Sequence, residues 1–235
     1  MKSGCWMLDL GCWFARRQRL VLPTSNIQHP TSALKVAALL FSCAVLGAAD
    51  SRLFFSKSFP GSTPAYVAIT VEQNGTGEFK DAADDETPLK FQLAAAEAAE
   101  MFALAEKLDR FKRPLESPLK VAQMGMKTFR FEDGASKTEV KFNFSEDSDA
   151  RALADWFERI SETAQNYWTL ERAVKYDKLG VNKALLQFET AIDRKRVVSP
   201  QLFLPMLDRV AKNDSYLNMA RSRAANLAEA IRASK

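Results

Sequence analysis

No cysteine follows Cys43 and no histidine follows His29 in this chain of 235 residues. All three cysteines (Cys5, Cys12 and Cys43) and the single histidine fall within residues 1–49. If that segment is removed, what remains has no disulfide, no thiolate nucleophile, no Ser-His-Asp triad and no zinc site built on His or Cys. Such a protein is held together by its core alone. Charge of one sign is also missing. The chain carries 33 Lys and Arg against 29 Asp and Glu. The whole excess belongs to residues 1–49, where Lys2, Arg16, Arg17, Arg19 and Lys35 stand against Asp9. The remainder is neutral, so the basic pI gives no reason to expect a nucleic-acid partner. Long apolar runs are absent too. The longest, Lys35 to Ala49, stops near 15 residues, short of the roughly 20 that a membrane-spanning helix needs.

That apolar stretch, with Lys35 before it and Gly47-Ala48-Ala49 at its exit, reads as the core of an export signal over 34–49. Residues 1–49 are therefore expected to be a leader that is removed. No membrane span is expected afterwards, and the location is secreted or periplasmic. Cys43 suits lipidation poorly because the apolar run continues past it. Arg16-Arg17 does not lead into an apolar run, which disfavours a twin-arginine signal. Initiation at Leu34 would give an ordinary bacterial signal sequence, so the true translation start is expected there.

After the leader an α+β sheet module is expected over 50–145 and a helical region over 146–235, either packed on the sheet as one domain or standing as a second. In the first, Leu53 to Phe55 suggests a short edge strand. Tyr66 to Glu72 alternates as a strand with Val67, Ile69 and Val71 on one face. Asn74-Gly75 predicts a tight hairpin turn with both residues at positive φ, returning through Glu78-Phe79-Lys80. Leu89, Phe91 and Leu93 form a further strand. Ala94, Ala98, Met101, Leu104, Ala105 and Leu108 mark a helix over about 94–111 whose stripe is core. Pro114 and Pro118 interrupt the chain before a second hairpin. There Phe129 and Phe131 lead to a turn at Asp133-Gly134, and Thr138, Val140, Phe142 and Phe144 line one face of the return. The fold class is α+β, an antiparallel sheet of about four to five strands with helices on one face, followed by a C-terminal helical bundle.

In the helical region Ser145 is expected to cap a helix that runs to about Tyr176 and ends at Gly180. Val181 to Ile192 forms the next helix, Ser199-Pro200 opens a short one that Pro205 splits, and Leu217 to Ile231 gives the last. No internal repeat or low-complexity tract is present.

Candidate chemistry is sparse. Glu158 and Glu162 stand four apart on one helix, as a carboxylate pair for acid/base work would, but Arg151, Asp155 and Arg159 beside them suggest an ion-pair ladder on a solvated face. Arg194-Lys195-Arg196 is expected to suit the end of a helix dipole rather than a phosphate. Asp81, Asp84, Asp85 and Glu86 lack the ligand spacing of a calcium loop. Ser62, Thr63 and Ser145 have no histidine to serve as base, and no spacing marks a Ser-Lys dyad. No catalytic, cofactor-binding or metal-binding residue is therefore assigned, and no cofactor is expected.

The run Pro60-Gly61-Ser62-Thr63-Pro64-Ala65-Tyr66, followed by an apolar strand and Asn74-Gly75, resembles a family of uncharacterised bacterial proteins that bear signal peptides. Leu207-Asp208-Arg209-Val210-Ala211 with Ser215-Tyr216-Leu217 is similar to the same group. A related family of unknown function has two cysteines flanking the equivalent Gly and Pro-x-Tyr, where this chain has Pro60 and Thr63. The resemblance covers most of residues 50–235 and implies no activity.

The function these features favour is a non-enzymatic binding or interaction module of the bacterial envelope, with a protein or small ligand as partner. One alternative is a carboxylate-dependent hydrolase such as a cell-wall glycosidase, which requires carboxylates from different elements facing across a cleft. Another is an inhibitor of an exported enzyme, which would present aromatics around Phe54, Phe55 and Phe59.

Overall fold

A computed structural model describes residues 51–234. The signal stretch 34–49, the start at Leu34, the cysteines and His29 lie outside the described residues. The fold is α+β, and its antiparallel sheet has six strands rather than four to five, in the order β4-β3-β2-β1-β5-β6. These are β1 (Arg52–Ser58), β2 (Tyr66–Glu72), β3 (Thr76–Lys80), β4 (Leu89–Gln92), β5 (Met126–Asp133) and β6 (Ser136–Phe142). The expected edge strand at Leu53 to Phe55 is instead central. It is longer and pairs with β2 on one side and β5 on the other. Ser56, Lys57 and Ser58 conceal it from a hydropathy reading, because a strand flanked on both sides needs apolar residues only where it meets the core.

Cross-strand registration gathers one face. Phe55 lies opposite Ile69 and Phe129, and Leu53 opposite Val71 and Phe131. Ile69 also meets Phe79, and Gly77 meets Phe91. Helix α1 (Ala95–Lys107) and the long helix α2 (Ser148–Tyr176) cover this face. Met101, Ala105 and Leu153 are fully buried, while Ala94, expected in the stripe, lies outside the helix and is exposed. The Phe55 and Phe157 rings stack with centroids 4.7 Å apart, and Phe129 lies edge-on to Phe142 at 5.0 Å. Helix α1 stops before position 111. Asp109, Arg110 and Phe111 have φ of 52°, 49° and 63°, a left-handed turn that drops Phe111 onto Phe129 while the Thr138 hydroxyl donates to the Arg110 carbonyl.

Several expected boundaries differ. At the first hairpin the Gly75 N–H donates to the Glu72 carbonyl at 2.9 Å, and of Asn74 and Gly75 only the glycine has positive φ, 85°. That is the longer loop with a left-handed glycine rather than a two-residue turn. Asp147, not Ser145, caps α2. Its carboxylate accepts from the N–H groups of Asp149 and Ala150 at 2.8 and 3.2 Å, while buried Ser145 accepts from the Asp147 N–H. Helix α2 ends at Tyr176 as expected, but Gly180 opens α3 (Val181–Asp193) instead of closing α2. A 3-10 turn at Pro200–Phe203 passes into α4 (Leu204–Ala211) at Pro205, and α5 (Asn218–Ala233) follows.

A second apolar cluster forms from the far half of α2 with α3, α4 and α5, around Leu185, Phe188, Phe203, Leu207 and Ala224. Phe188 and Phe203 stack at 3.9 Å. Leu202 packs against both clusters. Among the described residues no helix is long and apolar enough to cross a membrane.

Candidate functional site

Alternation along β1 puts Leu53, Phe55 and Lys57 on one face. The first two are buried in the core, and Lys57 emerges at the rim, where α2 passes above the sheet. There its ammonium meets the Glu158 carboxylate at 3.3 Å. Beyond β1 the chain turns back through Phe59 to Pro64. The Phe59 N–H donates to the Ala65 carbonyl at 2.9 Å, Gly61 has φ 90°, and the Thr63-Pro64 peptide is cis. Between this loop and α2 lies an open cleft of about 300 Å³. Phe55 and Val67 form its base, Phe59 and Ser62 to Pro64 one wall, and Glu158, Ser161, Glu162 and Gln165 the other.

The fold thus brings together Glu158, Glu162, Ser62 and Thr63, but not as catalytic partners. Glu162 turns both oxygens to Arg196, whose Nε and Nη2 donate at 2.9 and 2.8 Å. Arg196 also donates to Asp155 at 2.5 Å, and hydrogen bonding to Glu162 above all holds its guanidinium well above its ordinary pKa. The Ser62 hydroxyl lies 2.8 Å from the Phe59 carbonyl and 2.7 Å from the Pro64 carbonyl, so its proton is held by its own loop. Ser161 accepts from the Gln165 amide at 3.3 Å. Lys57, the second oxygen of Glu158 and the Thr63 hydroxyl are among the groups the cleft can offer a ligand, with the Gln165 amide oxygen and the Ser161 hydroxyl proton.

Lys57 lies opposite Lys127 in the pairing of β1 with β5. Like charges facing across strands repel, and here the two are accommodated unequally. Lys127 is nearly buried and donates to the Asn143 carbonyl at 2.9 Å. Burial first, and then the Lys57 charge, push its pKa down, against the attraction of Glu158 and Glu116. Beside this pair Gly125 has φ 93°. A Cβ there would come within 3.0 Å of Phe59 Cβ and 3.3 Å of Lys57 Cε. Only glycine lets the strap before β5 close against the cleft wall.

Other sequence candidates lie elsewhere. The expected ladder on α2 does not form, because Asp155 is engaged by Arg196 and the Arg159 guanidinium stacks 4.1 Å above Trp156. Arg194 to Arg196 follows the end of α3 instead of forming its last turn, and Arg196 ties that end to α2. The acidic loop 81–86 joins β3 to β4, where Lys80 donates to the Asp85 carbonyl at 2.9 Å. The aromatics suggested for an inhibitor divide. Phe55 is core, Phe54 lies beneath Arg130 on the opposite face at 4.3 Å, and Phe59 lines the cleft.

Sequence reasoning missed Lys57, Lys127 and the partnership of Arg196 with Glu162. The lysines carried a signal: each occupies a core-facing position in an alternating strand, after Leu53 and Phe55 in one case and before Phe129 and Phe131 in the other. No protein-family model matches the chain, and no curated protein matches it either.

Proposed function

We propose that this chain is an exported protein of the bacterial envelope that acts as a non-enzymatic binding module, taking a small polar ligand in the cleft beside α2. One observation carries the reading. Lys57 and Glu158 pair at 3.3 Å in the lining of an open cleft, while the nearby groups that chemistry would need, the Ser62 hydroxyl and the Glu162 carboxylate, are already engaged. A ligand with both donors and acceptors beside a small apolar face would complement Lys57, Glu158, Thr63 and the ring of Phe59. The export part of the reading is supported by the apolar stretch 34–49 and its small-residue exit, and the family resemblance of the 60–75 region accords with it.

The glycosidase alternative calls for carboxylates on different elements. In this cleft both come from α2, so no observation favours that reading. The test is an NMR titration of isotope-labelled protein with a panel of neutral sugars, amino acids and short peptides. The expected result is saturable shifts confined to residues 57–64 and 158–165, weakened at least tenfold in Glu158→Gln. Shifts elsewhere alone, or conversion of a panel member to product, would overturn the proposal.

A further inference from the structure

The three most exposed large apolar side chains among the described residues are Tyr176 at 82%, Leu179 at 75% and Met219 at 63%. All belong to one end of the helical half. Tyr176 and Leu179 stand at the turn from α2 to α3, and Met219 opens α5 together with half-exposed Leu217. Two contacts hold these segments side by side. The Asn182 amide reaches Met219 Sδ at 3.4 Å, and the Tyr216 hydroxyl donates to the Val174 carbonyl at 3.1 Å. Single exposed apolar residues need no explanation, but several gathered at one tip do.

The charges around this tip are unequal in their engagement. Each carboxylate has a partner: Glu171 pairs with Lys175 at 3.0 Å, Asp214 with Arg221 at 2.7 Å, and Asp177 accepts from the Gly180 N–H at 2.9 Å. Arg172, Lys178 and Lys183 are exposed and have no carboxylate within 4.0 Å among the described residues. Arg172 and Lys183 flank a groove of about 450 Å³ beside Tyr176.

We propose that this tip docks on an anionic lipid surface, with Tyr176, Leu179 and Met219 entering the headgroup boundary and Arg172, Lys178 and Lys183 meeting lipid phosphates. An apolar wedge with an aromatic member and a cationic rim is the pattern that binds such an interface peripherally. Arg172, Lys178 and Lys183 outnumber Asp177, the carboxylate of this tip that has no cationic partner among the described residues, and this positive excess favours an acidic bilayer over a neutral one. The inference does not depend on the cleft: ligand binding uses the middle of α2 and membrane docking its C-terminal end, and the two fail independently.

The test uses the full chain carrying Leu179→Trp, mixed with vesicles of brominated phosphatidylcholine, either alone or with phosphatidylglycerol added. The parent chain serves as control for binding through any other segment. The expected result is that the tryptophan emission added by Leu179→Trp is quenched on the acidic vesicles. On zwitterionic vesicles, or at raised salt, quenching is lost. A Lys178→Glu/Lys183→Glu background is expected to weaken binding by roughly fivefold or more per charge. Equal quenching on both vesicle types, no quenching of the added emission while the chain floats with vesicles, or concentration-dependent dimerisation through this tip without lipid would each overturn it. The changed positions are exposed, so a urea midpoint matching the parent verifies folding.

Discussion

The Phe157 ring lies parallel to the Phe55 ring, 4.7 Å away with 6° between their planes, so the first strand and the long helix share one contact at the centre of the core. Both rings are almost wholly buried. Phe157→Ala is expected to cost about 3–5 kcal/mol, the transfer loss plus the cavity left behind. Urea unfolding checks this. The midpoint should fall with an unchanged slope, and a loss below 1 kcal/mol would mean that the sheet and α2 are not packed as described.

Asp147 links helix capping to acid stability. The hydrogen bond from Arg113 at 2.6 Å is the leading cause that holds its carboxylate below the usual range, aided by the N–H groups of Ala150 and Asp149 and opposed by partial burial. A carboxylate with a depressed folded-state pKa stabilises the fold above its unfolded pKa of about 3.9, and that contribution disappears as pH falls through the folded value. Asp147→Ala is expected to cost about 1 kcal/mol at neutral pH. Its thermal midpoint should converge on the parent's as pH falls below the depressed folded-state value.

Lys127 has the opposite sign. Its folded-state pKa is depressed, chiefly by burial, so the protonated form is penalised in the fold at neutral pH, and the penalty fades as pH rises through the folded value and is gone above the unfolded value near 10.4. Lys127→Met is expected to raise the melting temperature at pH 7 and to lose that advantage above about pH 10.5. A lower melting temperature at pH 7 would show that the bond to the Asn143 carbonyl outweighs the burial penalty.

Gly125 tests the wall of the cleft. At φ 93°, with Phe59 and Lys57 in the way of a Cβ, Gly125→Ala is expected to cost at least 1–2 kcal/mol. NMR shifts should appear at Phe59 and Lys57, on the opposite strand end. An unchanged spectrum there would separate the strap from the cleft.

Most regular elements were legible because their periods are clean. Tyr66 to Glu72 and the end of α2 at Tyr176 fall where alternation and helical spacing place them. The two halves of the chain show why the rest was hidden. The cleft joins Lys57 to Glu158 and depends on Arg196 reaching back to α2, pairings between residues far apart in sequence that no local spacing encodes. The centrality of β1 was concealed by its polar second half. Ser145 looked like the cap because Ser-Glu-Asp-Ser offers several, and the choice of Asp147 depends on Arg113 from another element.

Strands β2, β3 and β4 follow one another in sequence, as do β5 and β6, yet the two sets share no hydrogen bond of their own. β1 is the seam between them. Contacts within each set close short loops, whereas joining them requires the first strand to wait for Met126 to Asp133, a long-range closure that slows folding. A chain shortened to begin after Ser58 would hold two facing edges with a slot one strand wide. A peptide of sequence Arg52–Ser58 supplied in trans is the natural filler, and its uptake would turn the sheet into a strand-complementation system.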